Sequence, residues 1–268
     1  MCGLVGVLLF PKARSPEERR ALLDITTSNL LANEERGRDA AGVAVFQRDG
    51  RYVVFKQPTP ASALVEMPGY HAALSTMGAQ TVCILGHTRS PTKGSRWRNV
   101  NNHPLVGEHV VGVHNGEIEN DEQLFAALRL PRRGEVDSEI IFRLQESVDP
   151  RSANGRYCAA LRPRLNLLKG HFATLSIDLR KPTQLLALKY LRPLCLHYEA
   201  SSQALFFSSR YLFLRRAFGR AVITEALDSG FGFCFDALEI PRLGSTPVER
   251  FALAPGTVTS ASSFPSIC

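Results

Sequence analysis

Cys2 directly follows Met1. Methionine removal is normal before a small residue, and here it would leave a thiol beside a free α-amine. An α-amine titrates near pH ~7.7–8.0. It can therefore take the thiol proton at neutral pH and return it to a leaving amine, with no other residue supplying the base. His87, His103 and His114 could build a metal site or a Cys–His dyad, or simply serve packing and hydrogen bonding. Other residues carry a local reading beside a chemical one. Asn115-Gly116 is a common turn dipeptide. Asp137 precedes a helical stretch and can cap it. Arg89 can make a surface salt bridge, or its planar fork can grip a carboxylate.

These residues must be held by elements that the pattern suggests. Residues 3–10, GLVGVLLF, read as a buried strand. Ser15-Pro16-Glu17-Glu18 reads as a helix start, with Ser at the N-cap, Pro at the first position and Glu18 closing a capping box. That helix should run to about residue 34 with Leu22, Leu23, Leu30 and Leu31 buried. Residues 42–48 and 51–56 read as a hairpin, with Asp49-Gly50 as the turn and both turn residues at positive φ. Strands at 81–85 and 110–113 run into GHTR and HNG, which places Asn115-Gly116 in a turn at a strand end. Helices are expected near 120–129, 138–146 and 210–218. HFATLSID, QLLALKY, LCLHY and ALFFSS make the second half strand-rich. Hairpin-like strand runs with grouped helices favour antiparallel sheets over alternating βαβ units.

The motif set is more specific than any member of it. Cys2-Gly3-Leu4-Val5-Gly6, Arg36-Gly37-Arg38-Asp39-Ala40-Ala41-Gly42, Gly86-His87-Thr88-Arg89, Asn102-His103-Pro104, His114-Asn115-Gly116 and Asp137-Ser138-Glu139 together resemble the class II glutamine amidotransferases, which are amino-terminal nucleophile hydrolases. The resemblance is nearest to the glutaminase domain of glucosamine-6-phosphate synthase. The RSPTKGS loop is more similar to amidophosphoribosyltransferase. Weaker likeness continues through GHFATLSID, LRPLCL and FFSSR, so almost the whole chain is covered.

The resemblance implies an α+β fold, an αββα sandwich of two antiparallel sheets between helical layers, spanning residues 2–260; the Ser-rich end at 261–268 reads as a frayed tail. It implies L-glutamine as substrate, Cys2 as nucleophile, and Asn115 with the Gly116 N–H as donors to the oxyanion. Arg89 would bind the glutamine α-carboxylate and Asp137 its α-ammonium, with Thr92 and His103 also at the substrate. Arg36 and Asp39 would support the pocket. Ser90 stands where the synthase-like proteins have Trp, which leaves the 89–98 loop without its usual aromatic; Trp97 is a candidate to replace it. Other readings with the same fold are a non-catalytic regulatory or assembly subunit, and an amide hydrolase for another substrate.

Composition narrows the classes further. A hydrophobic content of 44% and a charged content of 21% are ordinary for a soluble globular protein. No apolar run approaches bilayer length, and the apolar start lacks a basic leader, so a cytoplasmic chain without membrane association is expected. The six cysteines form no CxxC pair, so no zinc site or other metal is expected, and Cys83 and Cys234 read as buried small hydrophobes. No phosphate-binding loop and no cofactor is implied. The net charge of +7 is dispersed, with no aromatic-basic stripe, and is read as surface rather than a nucleic-acid patch. Glutaminase motifs occupy the chain from Cys2 to about residue 260, so a separate ammonia-accepting synthase is the expected partner. Arg96 and Arg98 are candidate contacts for an acidic partner or a phosphorylated substrate.

Overall fold

A computed structural model describes residues 2–151 and 156–256; the 261–268 tail lies outside them. In chain order the strands are β1 (Gly3–Leu9), β2 (Ala40–Gln47), β3 (Tyr52–Gln57), β4 (Thr81–Arg89), β5 (Leu105–Val106), β6 (Val110–Ile118), β7 (Gly170–Asp178), β8 (Gln184–Tyr190), β9 (Cys195–Glu199), β10 (Ala204–Ser208), β11 (Glu225–Ala226), β12 (Phe231–Asp236) and β13 (Glu249–Ala252). The helices are α1 (Pro16–Asn33), α2 (Ala61–Leu64), α3 (Pro68–Ser75), α4 (Asp121–Leu128), α5 (Glu139–Glu146), α6 (Tyr157–Leu165), α7 (Tyr211–Phe218) and α8 (Ile240–Leu243). One sheet runs β11-β9-β10-β1-β4-β2-β3 and the other β13-β12-β8-β7-β6-β5. The paired strands are antiparallel.

Period-two alternation sorts each strand between layers. Leu4 and Leu8 of β1 join Val113, Leu175 and Phe235 of the second sheet in a core between the sheets. Val5, Val7 and Leu9 face the other way and pack with Leu22 and Leu30 of α1 and Leu214 of α7. Beneath the second sheet, Phe172 and Leu186 pack with Ile140, Leu144, Leu161 and Leu165 of α5 and α6. Three apolar layers thus separate helices, sheet, sheet and helices, which is the αββα sandwich. A strand covered on both faces has no polar side, which is why β1 reads as an unbroken apolar run. Among the described residues, no helix is long and apolar enough to cross a membrane.

Helix α1 starts as its residues dictate. The Ser15 hydroxyl accepts from Glu18 N–H, and Glu18 Oε2 accepts from Ser15 N–H at 2.8 Å. Its buried face is only partly the expected one. Leu22 and Leu30 are buried, but Leu31 is 38% exposed. Thr26, Asn29 and Asn33 take the inward places instead. Asn29 Nδ2 donates to Phe207 O at 3.0 Å, and Asn33 Nδ2 donates to Ser208 Oγ at 3.0 Å. These bonds pair the two buried amide nitrogens and fix α1 to β10.

Three other expectations change. Only Gly50 of the Asp49-Gly50 pair has positive φ, at 87°. Gly50 N–H donates to Gln47 O and Gln47 N–H to Arg51 O, so the hairpin has a three-residue loop ending in a left-handed glycine rather than a two-residue turn. Asn115-Gly116 lies inside β6, opposite Ala173 and Phe172, because a long ladder with β7 overrides the dipeptide's turn preference. Asp137 does not cap α5: the N-cap is Ser138, and Asp137 Oδ2 accepts from Ile118 N–H instead.

Candidate active site

Cys2 lies just ahead of β1, between the ends of several distant segments. Gly3 makes this possible by its lack of a side chain. A Cβ there would lie 2.6 Å from Thr88 Oγ1 and 2.7 Å from Asn33 Cβ, closer than real Cβ contacts allow. Beyond it, Leu4 N–H donates to Ser209 Oγ at 2.7 Å. Arg36 Nε donates to the Cys2 carbonyl at 2.6 Å. Ser90 N–H donates to the Cys2 sulfur at 3.3 Å, and the thiol faces Ser90 O at 3.4 Å.

Burial raises the Cys2 thiol above its ordinary value of 9.0, against the pull of the Ser90 N–H and the Arg89 guanidinium. The sulfur is therefore a neutral thiol at rest and needs a base to become a nucleophile. His87 and His114 are not charged candidates. Burial pushes both imidazoles down to about 3, and His103 is lowered strongly for the same reason. Among the described residues no group of His, Cys, Asp and Glu could hold a metal ion.

A cavity of about 140 Å³ opens beside the sulfur, lined by Cys2, Arg36, Ser90, Thr92, Asn115, Gly116, Glu117 and Arg192, with Pro91. Larger hollows elsewhere, such as one of about 880 Å³ by the β2–β3 hairpin, do not include Cys2 and are surface troughs. Gly116 has φ +136°, and a Cβ there would lie 1.9 Å from His171 O. The cavity wall at this point must be bare backbone.

The site residues named from sequence fall into three groups. Cys2, Arg36, Thr92, Asn115 and Gly116 share the cavity. Arg89 and Asp137 stand behind it, close enough for their charges to act on the thiol. The Arg89 fork is engaged: Nη1 donates to Asn102 Oδ1 at 2.7 Å, and Nη2 to Lys93 O at 2.6 Å and Gly94 O at 2.9 Å. Burial raises the Asp137 carboxyl above its ordinary range. His103 and Asp39 are off the cavity wall. His103 packs against His87 with ring centres 4.3 Å apart and the planes tilted by 32°. Asp39 pairs with Arg96 at 3.0 Å.

Trp97 does not stand in for the missing aromatic. It is 70% exposed, with the Arg96 guanidinium 4.7 Å above its ring. Arg96 and Arg98 are paired within the chain, to Asp39 and Glu135. The loop is tied down rather than loose, because Asn101 Nδ2 donates to Ser95 O and Asn102 Nδ2 to Arg96 O.

Sequence reasoning missed Ser209, whose Oγ meets Asn115 Nδ2 at 3.0 Å, and Arg192 and Glu117 on the cavity wall. Arg192 sits in LRPLCL and Ser209 in FFSSR, two segments whose weak likeness was noted without a role.

Comparison with known proteins agrees in kind. A family model described as "Glutamine amidotransferase domain" matches residues 97–216. The chain is 32% identical over 199 residues to the glutamine–fructose-6-phosphate aminotransferase (isomerizing) of Escherichia coli K12, covering 72% of this chain and 29% of that protein. It is 28% identical over 214 residues to the 7-cyano-7-deazaguanine synthase of Sulfolobus acidocaldarius, covering 78% and 43%. The chain therefore spans less than half the length of either relative. The glutamine phosphoribosylpyrophosphate amidotransferase of B. subtilis shares the fold, with a TM-score of 0.65 at 20% identity over 88% of this chain and 47% of that one.

Proposed function

Since the chain belongs to the glutamine amidotransferase domain family, we propose that it releases ammonia from L-glutamine with Cys2 as the nucleophile. The observation that carries this reading is the shared cavity: the Cys2 sulfur, the Asn115 amide and the bare backbone of Gly116 line one space of about 140 Å³.

With Met1 removed, the Cys2 α-amine takes the thiol proton, and Sγ bonds to the side-chain amide carbon of glutamine. Negative charge gathers on the amide oxygen, where Asn115 and the Gly116 N–H are the proposed donors. The carbon–nitrogen bond breaks as the α-amine returns the proton, and ammonia leaves. Water then attacks the thioester, giving glutamate and restoring the thiol. The neutral imidazoles around the site fit this division of labour, since none competes as base at low pKa.

In the same reading, Asp137 binds the glutamine ammonium and Thr92 lies at the substrate. Arg89 reaches the carboxylate by exchanging one of its carbonyl partners at Lys93 or Gly94. Arg36 holds the nucleophile through the Cys2 carbonyl. Ammonia is proposed to pass to acceptor chemistry on a separate synthase, where it is used before it is protonated in bulk water.

The test is a glutaminase assay on the purified chain with intact mass. Expected are glutamate and ammonia from a protein lacking Met1, with activity stimulated by partner and acceptor. Full activity with Met1 retained overturns the mechanism. Full activity in Cys2→Ala overturns the nucleophile.

A further inference from the structure

The proposed oxyanion donor is itself held by a chain of contacts that fixes which end of its amide faces the substrate. His87 Nε2 lies 2.9 Å from the His114 carbonyl oxygen. A carbonyl only accepts, so Nε2 carries the proton and Nδ1 presents a bare lone pair. Nδ1 is buried without a partner. Asn115 directly follows His114 in β6, its carboxamide is close enough to act on the His87 ring, and its Oδ1 is likewise buried without a partner. On the far side of that amide, Ser209 Oγ already accepts from Leu4 N–H at 2.7 Å and faces Asn115 Nδ2 at 3.0 Å. The Ser209 hydroxyl proton is then left with no acceptor.

One rotation satisfies all three groups. With the Asn115 carboxamide turned by 180° about its terminal bond, Oδ1 accepts the Ser209 hydroxyl proton. Nδ2 gives one proton to His87 Nδ1 and keeps a second for the cavity. The two ends of a carboxamide are told apart by such partners. An unpaired buried polar group is destabilising, and the turned amide removes two of them.

We propose that His87 is a positioning residue for the glutaminase reaction: its bare Nδ1 and the Ser209 hydroxyl lock the Asn115 amide with its N–H directed at the developing oxyanion. This deepens the proposed function and rests on it. His87 does not touch substrate; it acts through Asn115.

Two substitutions separate the ring's two nitrogens. In His87→Asn the side-chain oxygen can occupy the place of Nδ1 and accept from Asn115. In His87→Gln the amide reaches the place of Nε2, keeping the His114 contact but losing the acceptor. The expected result is a kcat loss of roughly 10- to 100-fold in His87→Gln, less than removal of the donor itself. KM for glutamine should change little, and His87→Asn should recover most of kcat. Equal kcat in the two variants overturns the proposal. A second measurement needs neither variant to fold nor the chain to be active. Nitrogen-15 NMR of the wild-type chain labelled at both histidine and asparagine should show His87 protonated at Nε2 and bare at Nδ1, coupled across a hydrogen bond to the Asn115 side-chain nitrogen. A proton on Nδ1, or the absence of that coupling, overturns the proposal. Glutaminase activity surviving in Cys2→Ala would instead overturn the underlying reading and leave the NMR result standing.

Discussion

Asp137 Oδ2 accepts from the Ile118 backbone N–H at 2.7 Å, which ties the acid to the strand that carries Asn115 and Gly116. In the proposed function the carboxyl has two separable duties, an acceptor for β6 and a charge for a substrate ammonium. Asp137→Asn keeps an acceptor and removes the charge. It should fold with nearly wild-type Tm and raise KM for glutamine by roughly 10- to 100-fold, the scale of a lost charged hydrogen bond. Asp137→Ala should also lose stability by about 1–3 kcal/mol, as Ile118 N–H is left unpaired. An unchanged KM in Asp137→Asn would remove the ammonium assignment.

Arg89 braces its own loop before any substrate arrives. Lysine in its place keeps the charge but cannot serve Asn102, Lys93 and Gly94 together. Arg89→Lys should raise KM and also speed protease cleavage within residues 90–98. Protection equal to wild type would show that the three contacts do not hold the loop.

In the proposed function Asn115→Ala removes a donor that matters most in the transition state. Its kcat should fall by roughly 10²–10³ with KM nearly constant. A rise in KM alone would contradict the oxyanion role. An electrophilic glutamine analogue such as diazo-oxo-norleucine should add once, at Cys2. Cys83 and Cys158 are fully buried, so peptide mapping that finds label on either would point to the wrong thiol.

Acid should unfold the protein through its buried histidines. His87 and His114 are held at about 3 by burial, against an ordinary value of 6.5. Between those limits the unfolded chain binds protons that the folded chain refuses. Stability is therefore complete above pH 6.5 and falls with decreasing pH, by about 1.4 kcal/mol per pH unit for each histidine. Urea unfolding from pH 6 to 4.5 should show this slope, and His87→Gln should be shallower by one such increment. An identical slope in the variant would show that His87 is not the group refusing the proton.

Elements governed by neighbours in sequence were legible. The Ser15–Glu18 capping box and the doubly covered β1 were readable from residue type alone, because a cap and a pleat are local. Three of the six motifs put residues on the cavity wall, namely Cys2, Arg36, and Asn115 with Gly116. What the sequence could not show was decided by tertiary pairing. The Asn115-Gly116 turn preference yielded to nine paired positions between β6 and β7. Leu31 lost its inward place to Asn29 and Asn33, since hydrogen bonds to β10 made those amides good core residues. Helix α6 was passed over, with Pro163 interrupting its pattern. Trp97 points outward, with the Arg96 guanidinium over its ring.

The clamp on the first strand has a temporal side. Leu4 is held by Ser209, 205 positions later in the chain, and β1 pairs with β10 along Val5 to Leu9. Contacts of such long sequence separation form slowly, because loop closure comes before its reward. On the ribosome, the segment bearing Cys2 emerges first yet cannot take its final place until the FFSSR segment has followed it out. A nascent chain therefore cannot complete the cavity beside Cys2 until most of the sandwich has been made.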